Sequence, residues 1–359
     1  MALSAIDSIN PAFEHAKRQL FQPFRFSQWW RLAVVGFLAG ELSSSGGCGN
    51  NFSSFQNGRH TQHLLGPGFA ETNPAAFLGL ITVLVISALV LAIVFMYVSS
   101  VMRFVLFDSV LNKECHIRAG WGKRQGEGWR LFVFKLLYSL ISLLAMSVVV
   151  GIPLLIGVAA GWWKEPKDHI GGWLLVGLPA VLLFIAVALL SALIYVLTKD
   201  FVVPQMALED IGVMDAWRRL WGMIQTEKGG YAGYIGMKIL LAIAAGIVVG
   251  IATFFVVIVM VIPVVGAVIA AKASGMTWTV GTITLAVVAG TILFLLLMFV
   301  ISLISVPAIV FFPAYSMYFL ASRYQRLASA VWPAPPAPIA PAGLQQPPMG
   351  LPPSAEPIG

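Results

Sequence analysis

The hydrophobic residues of this chain are collected into long runs that contain no charged side chain. The uncharged runs are Ala75–Met102, Leu136–Trp163, Ile170–Thr198, Ile239–Ala271 and Ala273–Ser322. A helix of roughly 20 residues is long enough to cross the ~30 Å hydrocarbon layer of a membrane. Because every run exceeds that length, the pattern predicts a multi-pass membrane protein.

The composition agrees with this pattern. Only 10% of the 359 residues are charged, against about 25% in soluble domains, which excludes an ordinary soluble globule. We expect an all-α fold, a polytopic transmembrane helical bundle within residues 26–328. Its predicted crossings are 26–42, 75–101, 131–161, 171–198, 231–261 and 277–306.

The positive charges predict the orientation of these crossings. With six crossings, 18 of the 22 Lys and Arg residues lie on one side. Loops rich in Lys and Arg remain cytoplasmic, so we expect both termini in the cytoplasm and a location in the inner (cytoplasmic) membrane of a cell. The first crossing is the shortest, since few uncharged residues separate Arg31 from Glu41. The net charge of +7 lies beside the apolar runs and is therefore attributed to topology and not to a nucleic-acid partner.

Segments between the runs have the periodicity of amphipathic helices. Residues 1–25 and the region around Trp217 place apolar side chains on one helical face and charged ones on the other. Such helices either pack across the cytoplasmic face of the bundle or lie in the membrane interface against anionic lipid. The candidate residues that would face lipid or a partner are Lys17, Arg18, Trp217, Arg218, Arg219 and Trp221.

Short similarities suggest an internal repeat of about 100 residues in the predicted layout. Ala16–Leu20 resembles Ala216–Leu220, and a related segment lies between them at 118–124. Two segments outside the bundle have biased composition. Residues 43–74 are rich in Gly, Ser and Asn and predict an external loop, whereas the proline-rich residues 329–359 predict a disordered cytoplasmic tail.

Motifs of known catalytic chemistry are missing from the sequence. The histidines do not have the spacing of a zinc protease, and there is no P-loop or nucleophile elbow. We therefore predict no catalytic residue, no metal site and no cofactor. The main polar feature is a candidate cytoplasmic cluster, interpreted as structural ion pairing or, alternatively, as a headgroup or partner site. Its members are Arg103, Asp108, Lys199, Asp200, Glu209 and Asp210.

Pairs of glycines four residues apart predict faces where helices approach closely. These pairs are Gly36/Gly40, Gly157/Gly161, Gly229/Gly233 and Gly246/Gly250. Such faces serve packing within the bundle, or contact with a protein partner or a second copy.

Two stretches carry a resemblance to a known family. Phe21–Arg25 with Trp29–Leu32, and Asp200–Pro204 continuing through 209–210 to Ala216–Arg218, resemble segments of an uncharacterised family of bacterial multi-pass membrane proteins. That family is distantly similar to the membrane domain of some glycerophosphoryl diester phosphodiesterases. The resemblance implies an inner-membrane helical bundle. It implies no phosphodiesterase activity, because the catalytic barrel of those enzymes has no counterpart here.

These observations favour a non-enzymatic scaffold or membrane-organising module that uses its cytoplasmic amphipathic helices. A transporter or lipid-handling protein with a cavity between the repeats is the alternative, and an intramembrane enzyme is third. Anionic membrane lipids are the expected partners.

Overall fold

The computed structural model describes residues 3–41, 74–162, 169–275 and 280–332, and these residues form helices, turns and no strand. The helices in chain order are α1 (Ile9–Phe21), α2 (Phe26–Leu38), α3 (Pro74–Leu111), α4 (Ile117–Ala159), α5 (Ile170–Leu197), α6 (Val203–Glu209), α7 (Val213–Thr226), α8 (Lys228–Ala273), α9 (Val280–Ala321) and α10 (Gln325–Val331). A π-helical turn, Thr198–Val202, joins α5 to α6. The all-α prediction is confirmed for the described residues.

Five helical stretches in the described residues are long and apolar enough to cross a membrane. They are Ile81–Leu111, Ile117–Ala159, Ile170–Glu209, Lys228–Ala271 and Thr284–Ala321. The chain is therefore a multi-pass helical membrane protein by length and composition. Most of these helices extend well beyond the predicted crossings; α4, for example, begins at Ile117 and not near residue 131.

The first predicted crossing, 26–42, corresponds to the short helix α2. Its 13 residues span about 20 Å at 1.5 Å per residue, less than the hydrocarbon layer. Its middle packs closely on α9: the Ser302 hydroxyl donates to the Ala33 carbonyl at 2.7 Å, and a Cβ on Gly36 would lie 2.5 Å from Ile309. A sixth crossing therefore stays a prediction.

The described residues form two kinds of environment. The helical base consists of α1, α2, α6, α7, α10, the π-helical turn and the adjoining parts of the long helices, at 99–111, 117–135, 195–197, 231–238 and 301–321. Its core contains large side chains that are fully buried, among them Leu32, Phe104, Leu131, Met206 and Leu220. The membrane segments are the rest of the long helices, at 78–95, 136–158, 170–194, 239–271 and 281–299, and most of their large apolar side chains are exposed.

The two predicted amphipathic helices, α1 and α7, both belong to the base and contribute to its core. In α7 the side chains of Val213, Ala216 and Leu220 are buried, whereas Met214 and Trp221 are exposed. Spacings of three and four residues put the buried set on one face. The apolar stripe thus serves packing first, and the interfacial location of these helices stays a prediction.

The predicted glycine contacts differ from pair to pair. Gly36 is in close contact with α9, and a Cβ on Gly157 would lie 2.7 Å from the Trp173 ring. Around Gly229, Gly233 and Gly250, a Cβ would meet nothing within 4 Å. Close approach therefore explains Gly36 and Gly157, and contact of the other faces with a partner stays a prediction.

Three further predictions are not tested by these contacts. The internal repeat stays a prediction. Nearly all of the loop predicted at 43–74 lies outside the described residues. The same is true of the tail from residue 333 onward, although the first residues of the predicted tail belong to α10, which ends at Val331.

Candidate functional site: a buried ionic cluster

Charged side chains from five parts of the chain meet where the base joins the membrane segments. We call this group the ionic cluster; its members are Glu41, Arg103, Lys135, Lys199, Asp200 and Lys238. Five of the six are buried, and Lys135 is partly buried. Buried charges are rare in proteins unless they are paired, so each contact in the cluster needs an account.

The π-helical turn positions two opposite charges next to each other. Pro204 has no backbone N–H to donate to the carbonyl of Asp200, which disturbs regular helical bonding at this point. The Lys199 ammonium forms an ion pair with the carboxylate of Glu41, which follows α2. The turn thereby ties the end of α5 to the end of α2.

Asp200, the other charge on the turn, is bound by two donors from α8. The Lys238 ammonium pairs with its carboxylate, and the Tyr234 hydroxyl donates to the same carboxylate oxygen at 2.9 Å. The Tyr234 ring stacks on Tyr315 of α9 with centroids 5.1 Å apart. Because both donors and the ring are buried, this contact joins α5, α8 and α9 inside the base.

Arg103 of α3 contacts the residue after α2 and a residue near the end of α5. One terminal nitrogen donates to the Ala39 carbonyl and to the Tyr195 hydroxyl, each at 2.8 Å. The guanidinium also lies 5.1 Å from the centroid of the Tyr195 ring, within the range of a cation–π contact. Its buried Nε has no hydrogen-bond partner among the described residues.

The predicted polar cluster is divided among several contacts. Arg103, Lys199 and Asp200 all belong to the ionic cluster. Asp108 instead receives two hydrogen bonds of 2.7 Å from Arg124.

The remaining two predicted members lie near the ends of other base helices. Glu209 pairs with Arg219 at 2.7 Å and with Arg326 at 3.3 Å, and Asp210 pairs with Arg130 at 2.9 Å. The six predicted residues thus make no ion pair with one another in the described structure.

Sequence reasoning missed Glu41, Lys135 and Lys238 as members of the ionic cluster. A usable signal exists for the cations. Lys135 and Lys238 directly precede an uncharged run, and Arg103 and Lys199 directly follow one. A charge at the end of a membrane segment is placed at a similar depth whichever helix carries it. No such position next to an uncharged run distinguishes Glu41. It belongs to the cluster because its place after α2 brings it to Lys199.

The residues predicted to face lipid divide into an exposed set and a set used by the base. Lys17, Arg18, Arg218 and Trp221 are exposed. Arg219 is exposed but binds Glu209, and Trp217 is partly buried against the core. The indole nitrogen of Trp217 has no hydrogen-bond partner in the described part of the chain.

His15 and Glu227 are among the titratable groups outside the membrane-spanning helices that have shifted pKa values. Burial lowers the pKa of His15, whose Nε2 lies 2.9 Å from the Val110 carbonyl and whose Nδ1 lies 3.2 Å from the Tyr318 hydroxyl. Hydrogen bonds from Arg323, both 2.7 Å, lower the pKa of the Glu227 carboxyl. Both groups therefore connect helices of the base.

The described residues contain no group of three His, Cys, Asp or Glu side chains arranged to hold a metal ion. The cavities around the ionic cluster are small. One, lined by Glu41, Arg103, Lys199 and Asp200, has a volume of about 20 Å³, enough for about one water molecule.

Comparison with known proteins identifies the chain at the level of its family. Residues 3–330 match the model of a family of unknown function, DUF7544, and the chain belongs to that family. No curated protein and no solved structure matches it. The expectation of an uncharacterised family is confirmed, whereas the bacterial source and the likeness to phosphodiesterase membrane domains stay predictions.

Proposed function

We propose that this protein is a non-enzymatic membrane scaffold, in which one helical base determines where several membrane segments emerge. One observation carries the proposal. In the most apolar 18-residue window of each candidate span, at most 11% of the residues are buried. The segments therefore offer much of their surface to lipid and to other membrane helices, while the base fixes their spacing.

An aromatic and basic surface on the base supports contact with anionic lipid. On α1, Phe13, Lys17 and Phe21 follow one another at intervals of four residues and are all exposed, and Phe24 and Trp30 extend this exposed surface. Aromatic rings beside Lys and Arg are typical of surfaces in the headgroup region.

Helix α7 carries a second surface of this kind. Met214, Arg218 and Trp221 are exposed on the face that points away from the core. We propose that Lys17, Arg18, Arg218 and Trp221 contact lipid. Trp217 and Arg219 are left out because they contact the base.

The test is the amount of anionic lipid retained by the purified full-length protein. Arg218→Glu is the informative variant, because the Arg218 side chain is 84% exposed and its only ion pair in the described structure is with neighbouring Asp215. Each basic residue near an anionic surface contributes about 1 kcal/mol, so reversal of the charge lowers retention by about fivefold or more. Lys228→Glu, an exposed charge reversal outside the proposed surface, is the matched control. Equal retention by the two variants contradicts the lipid-facing role.

A lipid-handling protein or transporter is the second candidate. The observation that favours it is a cleft between α3, α4 and α5 with Arg103, Lys135 and Tyr138 in its wall, because polar groups are kept beside membrane segments mainly where they serve a function. Movement of fluorescent phospholipid between the leaflets of reconstituted vesicles is the measurement. A rate equal to that of protein-free vesicles counts against this candidate.

A further inference from the structure

The ionic cluster contains more positive than negative charge. Among the described residues, four cations, Arg103, Lys135, Lys199 and Lys238, lie within electrostatic range of two carboxylates, Glu41 and Asp200. With all six groups ionised, the cluster has a net charge of +2. Such an excess is costly away from water unless an anion compensates it.

The excess is localised on one side of the cluster. Lys199 and Lys238 are paired with Glu41 and Asp200. The Lys135 ammonium, in contrast, has no ion pair or hydrogen bond within the described ranges, and the Nε of Arg103, a residue only 4% exposed, is also without a partner there. Both side chains line the same cleft between α3, α4 and α5.

The walls of this cleft combine polar donors with apolar side chains. The Lys135 ammonium and the hydroxyl of Tyr138 are available beside Arg103, and the other walls include Leu131, Phe134 and Ile194. The cleft has a volume of about 30 Å³, so a larger ligand would place only its charged end there. A charged oxyanion with an apolar continuation fits this combination better than water or a polar solute does.

The depth of the cleft matches a lipid headgroup. Lys135 immediately precedes the uncharged run Leu136–Trp163, and Arg103 immediately follows Ala75–Met102. A run of that length covers the hydrocarbon layer, so its charged neighbour lies near the phosphate groups of one leaflet. Acyl chains held there would continue along the exposed apolar surfaces of α4 and α5.

We propose that Lys135 and Arg103 bind the phosphate oxygens of one anionic phospholipid in the cleft between α3, α4 and α5. The shared chemistry is an oxyanion, which a lipid headgroup or free phosphate could supply. The site uses none of the exposed residues of the proposed lipid-contacting surface. It would serve a scaffold or a lipid-handling protein equally, so the two proposals can fail separately.

The experiment measures binding to the full-length protein in neutral detergent. Lys135→Met keeps the length of the side chain and removes its charge, and Lys135→Arg keeps the charge. Short-chain phosphatidylglycerol is titrated against each, followed by the thermal midpoint and by native mass spectrometry. We expect the midpoint of the wild type and of Lys135→Arg to rise with the lipid, and Lys135→Met to bind about tenfold more weakly. Lys228→Met, which removes an exposed charge elsewhere, should bind as the wild type does.

Further arms of the experiment separate the sources of the oxyanion. Phosphatidylcholine and inorganic phosphate, tested alone, should not reproduce the rise in the midpoint. An equal rise with inorganic phosphate overturns the assignment to a lipid, and equal binding by Lys135→Met and the wild type overturns the site. Where Lys135→Met does not fold, wild-type protein decides the question, because failure to retain phosphatidylglycerol over phosphatidylcholine also overturns the proposal.

Discussion

Helix α4 passes through both environments of this molecule and shows how differently they treat the same residue type. Leu131 in the base is completely buried, whereas Leu140, nine residues later in the membrane segment, is 62% exposed. In the base, protein neighbours supply the contacts of an apolar side chain. In the membrane segment the bilayer supplies them, since lipid tails are as apolar as leucine.

Charged groups differ between the two environments in the same way. The base contains ion pairs such as Arg124–Asp108 and Arg323–Glu227, whereas the membrane segments contain no charged residue. Water and paired side chains can compensate a charge in the base, and hydrocarbon cannot. The ionic cluster lies at the transition between the base and the membrane segments. We therefore expect the substitutions that affect stability most to be those in this cluster.

The largest effect is expected at Lys238. Lys238→Met leaves the buried carboxylate of Asp200 with the Tyr234 hydroxyl as its one donor among the described residues. Removing one partner of a buried ion pair costs about 3–5 kcal/mol in the free energy of unfolding. Thermal or denaturant unfolding of the purified protein in detergent measures the loss.

A second variant separates lost pairing from lost packing at this position. Lys238→Met combined with Asp200→Asn removes both charges and should recover most of the stability. Lys228→Met, at the exposed start of the same helix, should be neutral within about 0.5 kcal/mol. Equal effects of Lys238→Met and Lys228→Met would show that the pair does not hold the base.

The comparison within α4 gives the second prediction. Leu131→Ala should cost about 2–5 kcal/mol in the free energy of unfolding, because it leaves a cavity in a close-packed core. Leu140→Ala removes the same atoms from a lipid-facing position and should change stability by less than about 0.5 kcal/mol. Unfolding of both variants in one detergent is the measurement, and similar losses would mean that the membrane segments are packed by protein after all.

The smallest effect concerns His15, a buried residue that contacts α3 and α9 through Val110 and Tyr318. Its pKa is lowered by burial. Below pH about 6.5 the unfolded chain therefore binds a proton at His15, whereas the folded protein binds it only at lower pH. The contribution of neutral His15 to the free energy of unfolding is complete above pH about 6.5. It is lost as the pH falls toward the lowered folded pKa, by at most about 1.4 kcal/mol per pH unit.

The measurement is the change in thermal midpoint between pH 7.5 and pH 5.5 for the wild type and His15→Gln. The variant should lose less stability on acidification than the wild type does. His116→Gln, at an exposed histidine, controls for general effects of pH. An identical pH dependence of His15→Gln and the wild type would contradict the prediction.

The membrane segments could be predicted from the sequence because their length and lack of charge are local properties. The five runs without charge correspond to α3, α4, α5, α8 and α9, since a ~30 Å layer admits few alternatives to a long apolar helix. The predicted crossing at 26–42 rested only on the distribution of Lys and Arg between the two sides of the membrane. The helix found there, α2, ends at Leu38.

The ionic cluster shows where such reasoning stops. Arg103, Lys199 and Asp200 were recognisable as charges at the ends of apolar runs, but their partners Glu41, Tyr195 and Lys238 come from other elements. Which charge meets which depends on helix packing between residues up to 158 positions apart, and no local pattern encodes that packing.

The sequence by itself determined that this is a multi-pass helical membrane protein of low charge. The surroundings of each segment, hydrocarbon or water, restrict the residue types of that segment independently of the other segments. Only the tertiary structure decided that α1 and α7 use their apolar faces to build a base, and that four cations and two carboxylates share one site. Those outcomes depend on contacts between distant helices, whose free energy is set by complementary shape and charge and not by the composition of any one of them.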